Sequence, residues 1–488
     1  MLYPSHFHRS RENSIQLSSD ILDSIFKWLQ IDCESLNTCC QVSKQWCERG
    51  MQVLYSKPFD FLRSLGASEY SEEFQLEEEA VDISFRIQLL ILTLVSDEYR
   101  RQYGNQIGYL NCLRQLDFLY IGYLWDEFSS TYGAYEKDKI QWSIFEVSRY
   151  SQRLEALVCD EFAFNKQLFS LSDEIQYSKL RRLEIHFSKS QPNILSSQNI
   201  LDIGQCCRNL RVLHLRAKST FTDTDLAFLI RRQRPNSFQE LLIERSQETS
   251  FEQTLEALYV HHRNNLLVVR FIWCNQLGFL NELGAFPRLE SLEITNCHRL
   301  TNEGLLTPEG SFKSLKHLTL RETAITSSKV VSLCKNSGET LQTLNISVDA
   351  QLQTELVRAL VNYCPNLRNL GFSLLSFTLA DLELLASKCV RLQRLKLGHP
   401  QESNPYLTEV TLCKVINIWK ELQYLDLGHT AVTPLVIRHL GAKKALRQLK
   451  IDYAFQSNIF WTQVAIVLGE RFAWDVHRND LNIVTYRL

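Results

Sequence analysis

The amino-acid sequence predicts an α/β protein in which a small all-α N-terminal module precedes a repeat solenoid, with a curved parallel sheet inside and helices outside. Two observations predict this arrangement. An apolar triplet, Leu-x-x-Leu-x-Leu, recurs along most of the 488-residue chain, and two short amphipathic stretches precede the first triplet. A single core rarely grows beyond a few hundred residues, so a chain of this length is expected to form several domains or a repeat array.

The spacing of the triplets is regular. In the middle of the chain their first leucines are Leu289, Leu315, Leu341, Leu367 and Leu392, which gives successive steps of 26, 26, 26 and 25 residues. The second and third apolar positions alternate, so they lie on one face of a short strand and point inward. The remainder of each unit shows helical periodicity. One strand and one helix cannot bury their apolar faces alone, so the units must stack.

About thirteen copies of the triplet span residues 113–452, which we predict to be the repeat domain. Two weaker copies begin at Leu113 and Leu154. The stronger copies begin at Leu180, Leu210, Phe238, Leu266, Leu289, Leu315, Leu341, Leu367, Leu392, Leu422 and Leu446. An aromatic-rich segment, Tyr120–Trp142, lengthens the first interval to 41 residues. This segment is either an insertion that packs on the solenoid or a lobe that binds a partner.

The remaining segments are predicted from their composition. Residues 1–13 are expected to be a flexible tail, residues 14–61 a helical module, residues 62–112 a helical linker or cap, and residues 453–488 a C-terminal cap that contains a helix at Ile459–Phe472. Terminal units of repeat arrays are expected to be atypical because they cover the ends of the core.

The cysteines follow the repeat. Cys207, Cys364 and Cys389 each lie three residues before a first leucine, and Cys274 and Cys297 each follow a predicted strand. This pattern resembles the cysteine-containing subtype of leucine-rich repeat, and the segment 297–305 is similar to that family's turn into its helix. Zinc ligation or redox catalysis is the competing interpretation. Thiolate ligands need clustered side chains, whereas these recur once per repeat, so we predict buried structural thiols and neither metal nor cofactor.

Residues 14–61 carry an apolar ladder on two predicted helices. Its members are Leu17, Ile21, Leu22, Ile25, Phe26, Leu29, Val42 and Trp46. The segment resembles an F-box, with most similarity to fungal members, although Ser18 stands where the family has proline and Asp20 where it has glutamate. The resemblance implies that these eight residues bind a Skp-type adaptor and, through it, a cullin. A generic amphipathic cap of the solenoid is the alternative.

An F-box followed by leucine-rich repeats is the order found in substrate receptors of ubiquitin ligases. The resemblance therefore implies a non-catalytic, substrate-recognition subunit of an SCF (Skp/cullin/F-box) ligase, in which the repeats bind a protein substrate. One alternative is a protein-binding scaffold whose F-box serves an adaptor without ubiquitylation. Another is a repeat-type inhibitor or structural protein that has no adaptor.

Other classes of function find little support in the sequence. The formal net charge is -2, so no global charge favours nucleic acid or an anionic membrane, and the longest strongly apolar stretch, Ile87–Val95, is too short to span a bilayer. Nucleophile-elbow, His-Glu-x-x-His, phosphate-loop and Cys-x-x-Cys motifs are not found, so no catalytic or metal-binding residue is predicted. Scattered thiols without an N-terminal apolar signal predict a cytoplasmic or nuclear protein.

The substrate is expected on the concave strand face, where side chains alternate with the buried leucines. Basic residues predicted there are Arg182, His186, His214, Arg216, His317, Arg321, Arg394 and Lys396. Small residues beside them, which would leave a shallow pocket, are Ser347, Gly371, Ser373, Gly398 and Gly428. Such a surface would suit an acidic or phosphorylated segment. Ordinary solvated charge is the alternative, and it is favoured by the acidic residues of the same face, Glu184, Glu240, Glu244, Glu293 and Asp426.

Overall fold

The computed structural model describes the larger part of the predicted repeat domain and two short segments after it. These are residues 114–117, 153–160, 164, 169, 177–187, 194–306, 308–347, 353–373, 378–397, 409–427, 433–441, 445–452, 473–475 and 483–487. The predicted F-box at 14–61, the linker at 62–112, the segment at 120–142 and the predicted helix at 459–472 lie outside the described residues.

A strand is present at each of the thirteen predicted triplets. The strands are β1 (Gln115–Asp117), β2 (Ala156–Asp160), β3 (Arg182–His186), β4 (Val212–Ser219), β5 (Glu240–Ser246), β6 (Val268–Ile272), β7 (Ser291–Thr301), β8 (His317–Ala324), β9 (Thr343–Ser347), β10 (Asn369–Ser373), β11 (Arg394–Lys396), β12 (Tyr424–Asp426) and β13 (Gln448–Asp452). Two further strands, β14 (Ala473–Asp475) and β15 (Ile483–Arg487), follow near the C-terminus.

The strands belong to two compact units. In the first, β1 and β2 pair in parallel. In the second, each strand from β3 to β13 pairs in parallel with the next one in sequence. The sheet of the second unit then changes direction, because β15 pairs antiparallel with β13 and β14 pairs antiparallel with β15. The predicted C-terminal cap therefore contains an antiparallel pair of strands.

The register of the second unit follows the triplets. The middle apolar residue of each triplet lies directly opposite that of the next, as in Leu183, Leu213 and Leu241. These residues are buried in every strand from β3 to β12. Because parallel strands need a crossover on one side of the sheet, the helices lie on the side of these leucines and complete the core. The predicted fold class, an α/β repeat solenoid with sheet on one side and helices on the other, is confirmed.

Eight α-helices alternate with the strands of the second unit in the described residues. They are α1 (Ser197–Cys206), α2 (Asp223–Arg231), α3 (Glu252–His262), α4 (Ser327–Ser337), α5 (Gln353–Tyr363), α6 (Leu379–Lys388), α7 (Glu409–Ile418) and α8 (Pro434–Gly441). Three of them begin with a capping box, whose N-cap residues are Ser196, Thr222 and Thr378. In a capping box the hydroxyl and the side chain three residues later satisfy backbone groups that the first turn leaves unpaired.

The helical layer is interrupted between α3 and α4. The connection after β6 holds a 3-10 helix, Asn281–Ala285, and the connection after β7 consists of turns in its described residues. The expectation of a helix in every unit is therefore wrong for these two repeats. Pro287 closes the first connection, while Pro308 and Gly310, the latter at φ +83°, occupy the second. These residue types disfavour a helix interior.

The cysteines of the described repeats are free thiols, and all but Cys413 are buried. Burial raises the pKa of Cys207 well above its usual value and that of Cys389 to about 12. The thiols of Cys274 and Cys297 lie 3.6 and 3.7 Å from carbonyl oxygens of the preceding strand. The prediction that these cysteines act as small buried groups is confirmed.

Candidate protein-binding face

The candidate site is the open face, which we define as the side of strands β3 to β13 that carries the side chains alternating with the buried leucines. The structure places all eight predicted basic residues in this register, on β3, β4, β8 and β11. Six of them fall in two separate groups, and Arg216 and His317 belong to neither. About four strand spacings, roughly 19 Å, separate β4 from β8. Gly398 and Gly428, predicted as part of the same surface, lie outside the described residues.

The first group is a network of ion pairs on β3, β4 and β5, here called the His214 cluster: Arg182, Glu184, His186, His214 and Glu240. The ring nitrogens of His214 lie 3.2 Å from a Glu184 oxygen and 3.0 Å from a Glu240 oxygen. Neither ring N–H points directly at its carboxylate, so these contacts are ion pairs rather than well-aligned hydrogen bonds. His186 Nε2 lies 3.0 Å from Glu184, which also accepts from Arg182. The parallel register sets Glu184 beside His214.

In the His214 cluster, burial and neighbouring charges shift the pKa values in opposite directions, and the effect of the charges is larger. Burial alone would raise the pKa of Glu184, but contacts with His186, His214 and Arg182 hold it far below its usual value. Burial would lower the pKa of His214, yet Glu184 and Glu240 raise it. The pKa of Glu240 is lowered, chiefly by His214.

The His214 cluster changes the predicted role of its members. His214 is only 4% exposed. It therefore contributes charge balance within the face rather than a contact surface, which corrects its place among the predicted contact residues. The Arg182 guanidinium and the His186 ring likewise contact Glu184. This end of the open face is largely neutralised by its own carboxylates.

The other cations of strands β4 to β7 include both paired and unpaired side chains. Arg270 pairs with Glu293 at 3.6 Å, and Arg245 pairs with Glu244 at 3.3 Å. Arg216 has no ion pair within the described residues, and the buried Nε of its guanidinium has no hydrogen-bond partner.

The second group is the basic patch, which we define as Arg321, Arg394, Lys396 and Lys450, on β8, β11 and β13. Asp426 is the carboxylate that opposes them, with its Oδ2 3.7 Å from Lys396 Nζ. Burial lowers the pKa of Lys396, and the charges of Arg321 and Lys450 lower it further. Arg321 and Lys450 therefore both act on Lys396 as like charges. The patch carries an uncompensated positive charge.

Gly371 on β10 lies between the strands of the basic patch and is covered by the Asn345 side chain. A Cβ placed on Gly371 would lie 2.6 Å from Asn345 Oδ1, so only glycine lets the Asn345 amide extend across β10. That oxygen is buried and has no hydrogen-bond partner. The unpaired Asn345 oxygen therefore lies over β10, between the strands that carry Arg321 and Lys396.

Two further contacts lie beside the basic patch: one is between a guanidinium and an aromatic ring, and the other involves an imidazole. The Arg394 guanidinium lies 4.6 Å from the centre of the Tyr424 ring, and burial together with Asp426 raises the pKa of Tyr424 to about 12. His317 Nδ1 lies 3.0 Å from Thr343 Oγ1, and burial lowers its pKa, with a further contribution from Lys316. The stack on Tyr424 restricts Arg394 and leaves the edge of its guanidinium available.

Sequence reasoning missed Lys450. Its position was available from the pattern, because it lies between the second and third apolar residues of the last triplet, Leu449 and Ile451. Only the register β11–β12–β13 brings it within two strands of Lys396.

The described part of the chain contains no group of three or more His, Cys, Asp or Glu side chains arranged to hold a metal ion. Among the same residues, no helix has the length and apolar character that crossing a bilayer requires.

No protein-family model matches the sequence, and no curated protein matches it either. Solved structures give weak similarities. An internalin from Listeria monocytogenes is 16% identical over 62% of this chain and 75% of its own, with a TM-score of 0.38. A chain of the yeast Rad7 and Elc1 complex is 15% identical over 69% and 97%, with a TM-score of 0.37.

A leucine-rich-repeat protein of Leptospira interrogans is 17% identical over 66% of this chain and 90% of its own, with a TM-score of 0.29. Because these scores are low, the assignment of the fold depends on the triplets and on the strand register. On that basis the described region is a leucine-rich-repeat solenoid.

Proposed function

We propose that this protein is the substrate-recognition subunit of an SCF-type ubiquitin ligase. In this proposal the F-box at 14–61 binds a Skp-type adaptor and, through it, a cullin, while the open face binds a protein substrate. The observation that carries the substrate part is the basic patch, a cationic surface with one opposing carboxylate on an exposed sheet face. The adaptor part depends on the apolar ladder of the sequence, Leu17 to Trp46.

The chain itself performs no chemistry in this proposal. A receptor that holds a substrate near a conjugating enzyme raises the effective concentration of two reactants, and that alone accelerates transfer. Eleven parallel strands spaced about 4.8 Å apart give a face roughly 48 Å long. Such a face has room for a folded domain or for an extended segment.

We expect the substrate to present an acidic or phosphorylated segment to the basic patch. The two arginines can each donate paired N–H groups to a carboxylate or phosphate, and the lysines add point charges. Arg321 on β8 and the pair Arg394 and Lys396 on β11 lie on the same face of the sheet, so an anionic segment that crosses β9 and β10 can contact both groups. The His214 cluster, in contrast, offers little net charge to a ligand.

The test of the adaptor part is co-purification. Replacing Leu17, Ile21 and Ile25 together by Ala should abolish recovery of the Skp-type adaptor, because the buried apolar contact would be lost. A matched control replaces three exposed aliphatic residues of the repeats, Ile194, Val260 and Leu435, by Ala. The control should retain the adaptor. Undiminished adaptor binding by the first variant would rule out the F-box assignment.

The second candidate function is a scaffold that binds an adaptor without ubiquitylation. Both functions require the apolar ladder, so adaptor binding cannot separate them. Two other measurements can separate the two functions: the presence of a cullin in the purified complex, and the turnover of captured proteins in cells. Captured proteins that accumulate when Leu17, Ile21 and Ile25 are replaced indicate a ligase receptor, and unchanged levels with no cullin in the complex indicate the scaffold.

A further inference from the structure

A groove of about 470 Å³ opens beside the residues that follow β5 and β6 and the end of β7, in the second unit. Its walls are the loop after β5 with the first residue of α3, the loop after β6, and the end of β7 with Glu303 just beyond it. It lies where the helical layer is interrupted, next to the connections that hold the 3-10 helix and the turns. None of its lining residues belongs to the basic patch or the His214 cluster.

The groove has an exposed aromatic wall. Phe279 is 51% exposed, while Leu277 and Leu280 on either side of it are fully buried. The reason is a close backbone approach, because a Cβ on Gly304 would lie 1.7 Å from the Gly278 carbonyl oxygen, and Leu280 N donates to Gly304 O at 2.5 Å. The two connections are pressed together, and the phenyl ring is left on the outside.

The groove is also negatively charged. Glu248, Glu252 and Glu303 are exposed on its walls, and none of them has an ion pair among the described residues. Arg299 is the basic residue of the lining, and it donates to Gln276 rather than to one of these carboxylates. Three carboxylates and one guanidinium give a formal charge of -2.

We propose that this groove docks a segment of a partner protein that carries a lysine or arginine beside apolar residues. The cation would lie between the carboxylates and over the face of Phe279, where the ring quadrupole attracts it, and the apolar neighbours would cover the ring edge. Charge complementarity selects this occupant over an acidic segment, and the exposed ring selects it over a free metal ion. The groove shares no residue with the basic patch, the His214 cluster or the apolar ladder of residues 17–46.

The experiment pans a phage library of random dodecapeptides against the full-length protein. The peptides that the protein retains should be enriched in Arg or Lys next to Leu, Met or aromatic residues. The selected peptide is then synthesised with a fluorescent label, and its anisotropy is measured against wild type and variants at low and physiological salt. Replacing its central Arg by citrulline, which is neutral and nearly isosteric, should weaken binding by about fivefold or more.

The variants separate charge from structure. E248Q/E303Q and Phe279→Ser should each weaken binding of the selected peptide, and the charge variant should also reduce the salt dependence. Glu252 is left in place because it lies in the first turn of α3, where a negative charge stabilises the helix. The matched control, E256Q/E339Q, makes the same charge change at exposed positions outside the groove and should bind as wild type does.

Three results would overturn the proposal. One is selection of peptides that keep their affinity for both groove variants, and another is equal binding of the Arg and citrulline peptides. The third is concentration-dependent self-association of the wild-type protein in sedimentation that Phe279→Ser abolishes, which would assign the groove to a second copy of this chain. Thermal unfolding of each variant, unchanged from wild type, verifies that the fold is intact.

Discussion

At the scale of single residues, the most constrained charge of the open face is His214. Its imidazole lies between two carboxylates, within 3.2 Å of Glu184 and 3.0 Å of Glu240, and it is almost fully buried. An imidazolium in this position compensates two negative charges that burial would otherwise penalise. The neutral ring would leave Glu184 dependent on Arg182 and His186 alone. The protonated state of His214 therefore contributes to stability.

The first prediction concerns the pH dependence of this contribution. The pKa of His214 is raised on folding, so its stabilisation is complete below the usual histidine value of 6.5 and is lost as pH rises through the raised pKa. His214→Gln should destabilise the protein by about 3 kcal/mol near pH 6, and the difference from wild type should shrink near pH 9. Urea unfolding of both proteins at the two pH values measures this change.

The two carboxylates set the lower pH limit of the range in which the His214 ion pairs stabilise the fold. The pKa values of Glu184 and Glu240 are lowered on folding, so their contribution is present above the unfolded values and is lost in acid. His298→Gln, at an exposed position, is the matched control for replacing a histidine by glutamine. A difference between His214→Gln and wild type that stays constant from acid to alkaline pH would contradict the assigned ion pairs.

At the scale of secondary-structure elements, the N-terminus of α3 is stabilised by the preceding repeat. Its N-cap residue, Phe251, has a positive φ of 70° and makes no side-chain capping bond. The carboxylate of Asp223, at the start of α2, accepts hydrogen bonds from the backbone N–H groups of Gln253 and Thr254 at 2.8 and 3.0 Å. A capping function that is usually local is here supplied from about 30 residues earlier in the chain.

The second prediction tests this cross-repeat cap. Asp223→Ala should destabilise α3 by about 1 kcal/mol, because two N–H groups of its first turn lose their acceptor. Hydrogen exchange of residues 252–262 should become faster. Asp225→Ala is the matched control, since Asp225 caps its own helix, α2, through Thr222. That variant should accelerate exchange at the start of α2 and leave α3 as in wild type; the reverse pattern would refute the assignment.

The third prediction concerns the strands. Leu344 in β9 is fully buried and lies in register with Leu318 and Leu370 of the adjacent strands. Leu344→Ala should cost about 2–5 kcal/mol locally, since it removes buried methyl groups and leaves a cavity. Because repeats are stabilised by their neighbours, exchange should increase first in β8, β9 and β10. Lys335→Ala, an exposed change on α4, should leave exchange unaltered, and unchanged exchange in Leu344→Ala would contradict the register.

The fold was predictable from the sequence to the extent that burial is periodic along the chain. The triplets located the strands because alternate apolar residues mark one face of a strand at any position. The helices were less predictable, since Pro287, Pro308 and Gly310 end the helical pattern in two repeats whose apolar residues still suggested it. The cross-repeat cap of α3 was not predictable, because Asp223 reaches Thr254 only once the repeats have stacked.

The candidate site was predictable in register but not in its electrostatics. The sequence assigned eight basic residues to one face, and the structure places them in that register. Whether a cation is available to a ligand depends on its neighbours across strands, which lie about 30 residues away in sequence. Thus His214 is enclosed by carboxylates, while Lys396 is surrounded by cations and one aspartate.

At the scale of the whole molecule, the open face divides into a part that its own carboxylates neutralise and a part that keeps positive charge. The neutralised part occupies β3 to β5, and the basic patch occupies β8 to β13. An anionic segment would therefore be attracted to the basic patch at β8 to β13 and would gain little binding energy at β3 to β5. This asymmetry gives the proposed substrate a defined position on the sheet.

The fourth prediction tests that position in a complex whose substrate has been identified by pull-down from the native cell. Charge reversal at both Arg394 and Lys396, written R394E/K396E, should weaken substrate binding by about tenfold or more and remove most of its salt dependence, because both residues face the anion directly. The matched control, K313E/K335E, makes the same charge change at exposed positions off the face and should bind as wild type does. Adaptor binding should be intact in both variants, since the apolar ladder is unchanged.

If R394E/K396E binds the substrate with wild-type affinity at both salt concentrations, the basic patch is excluded as the docking site. The neutral strands β5 to β7 of the open face would then be the next region to test, beginning with the Arg270–Glu293 pair.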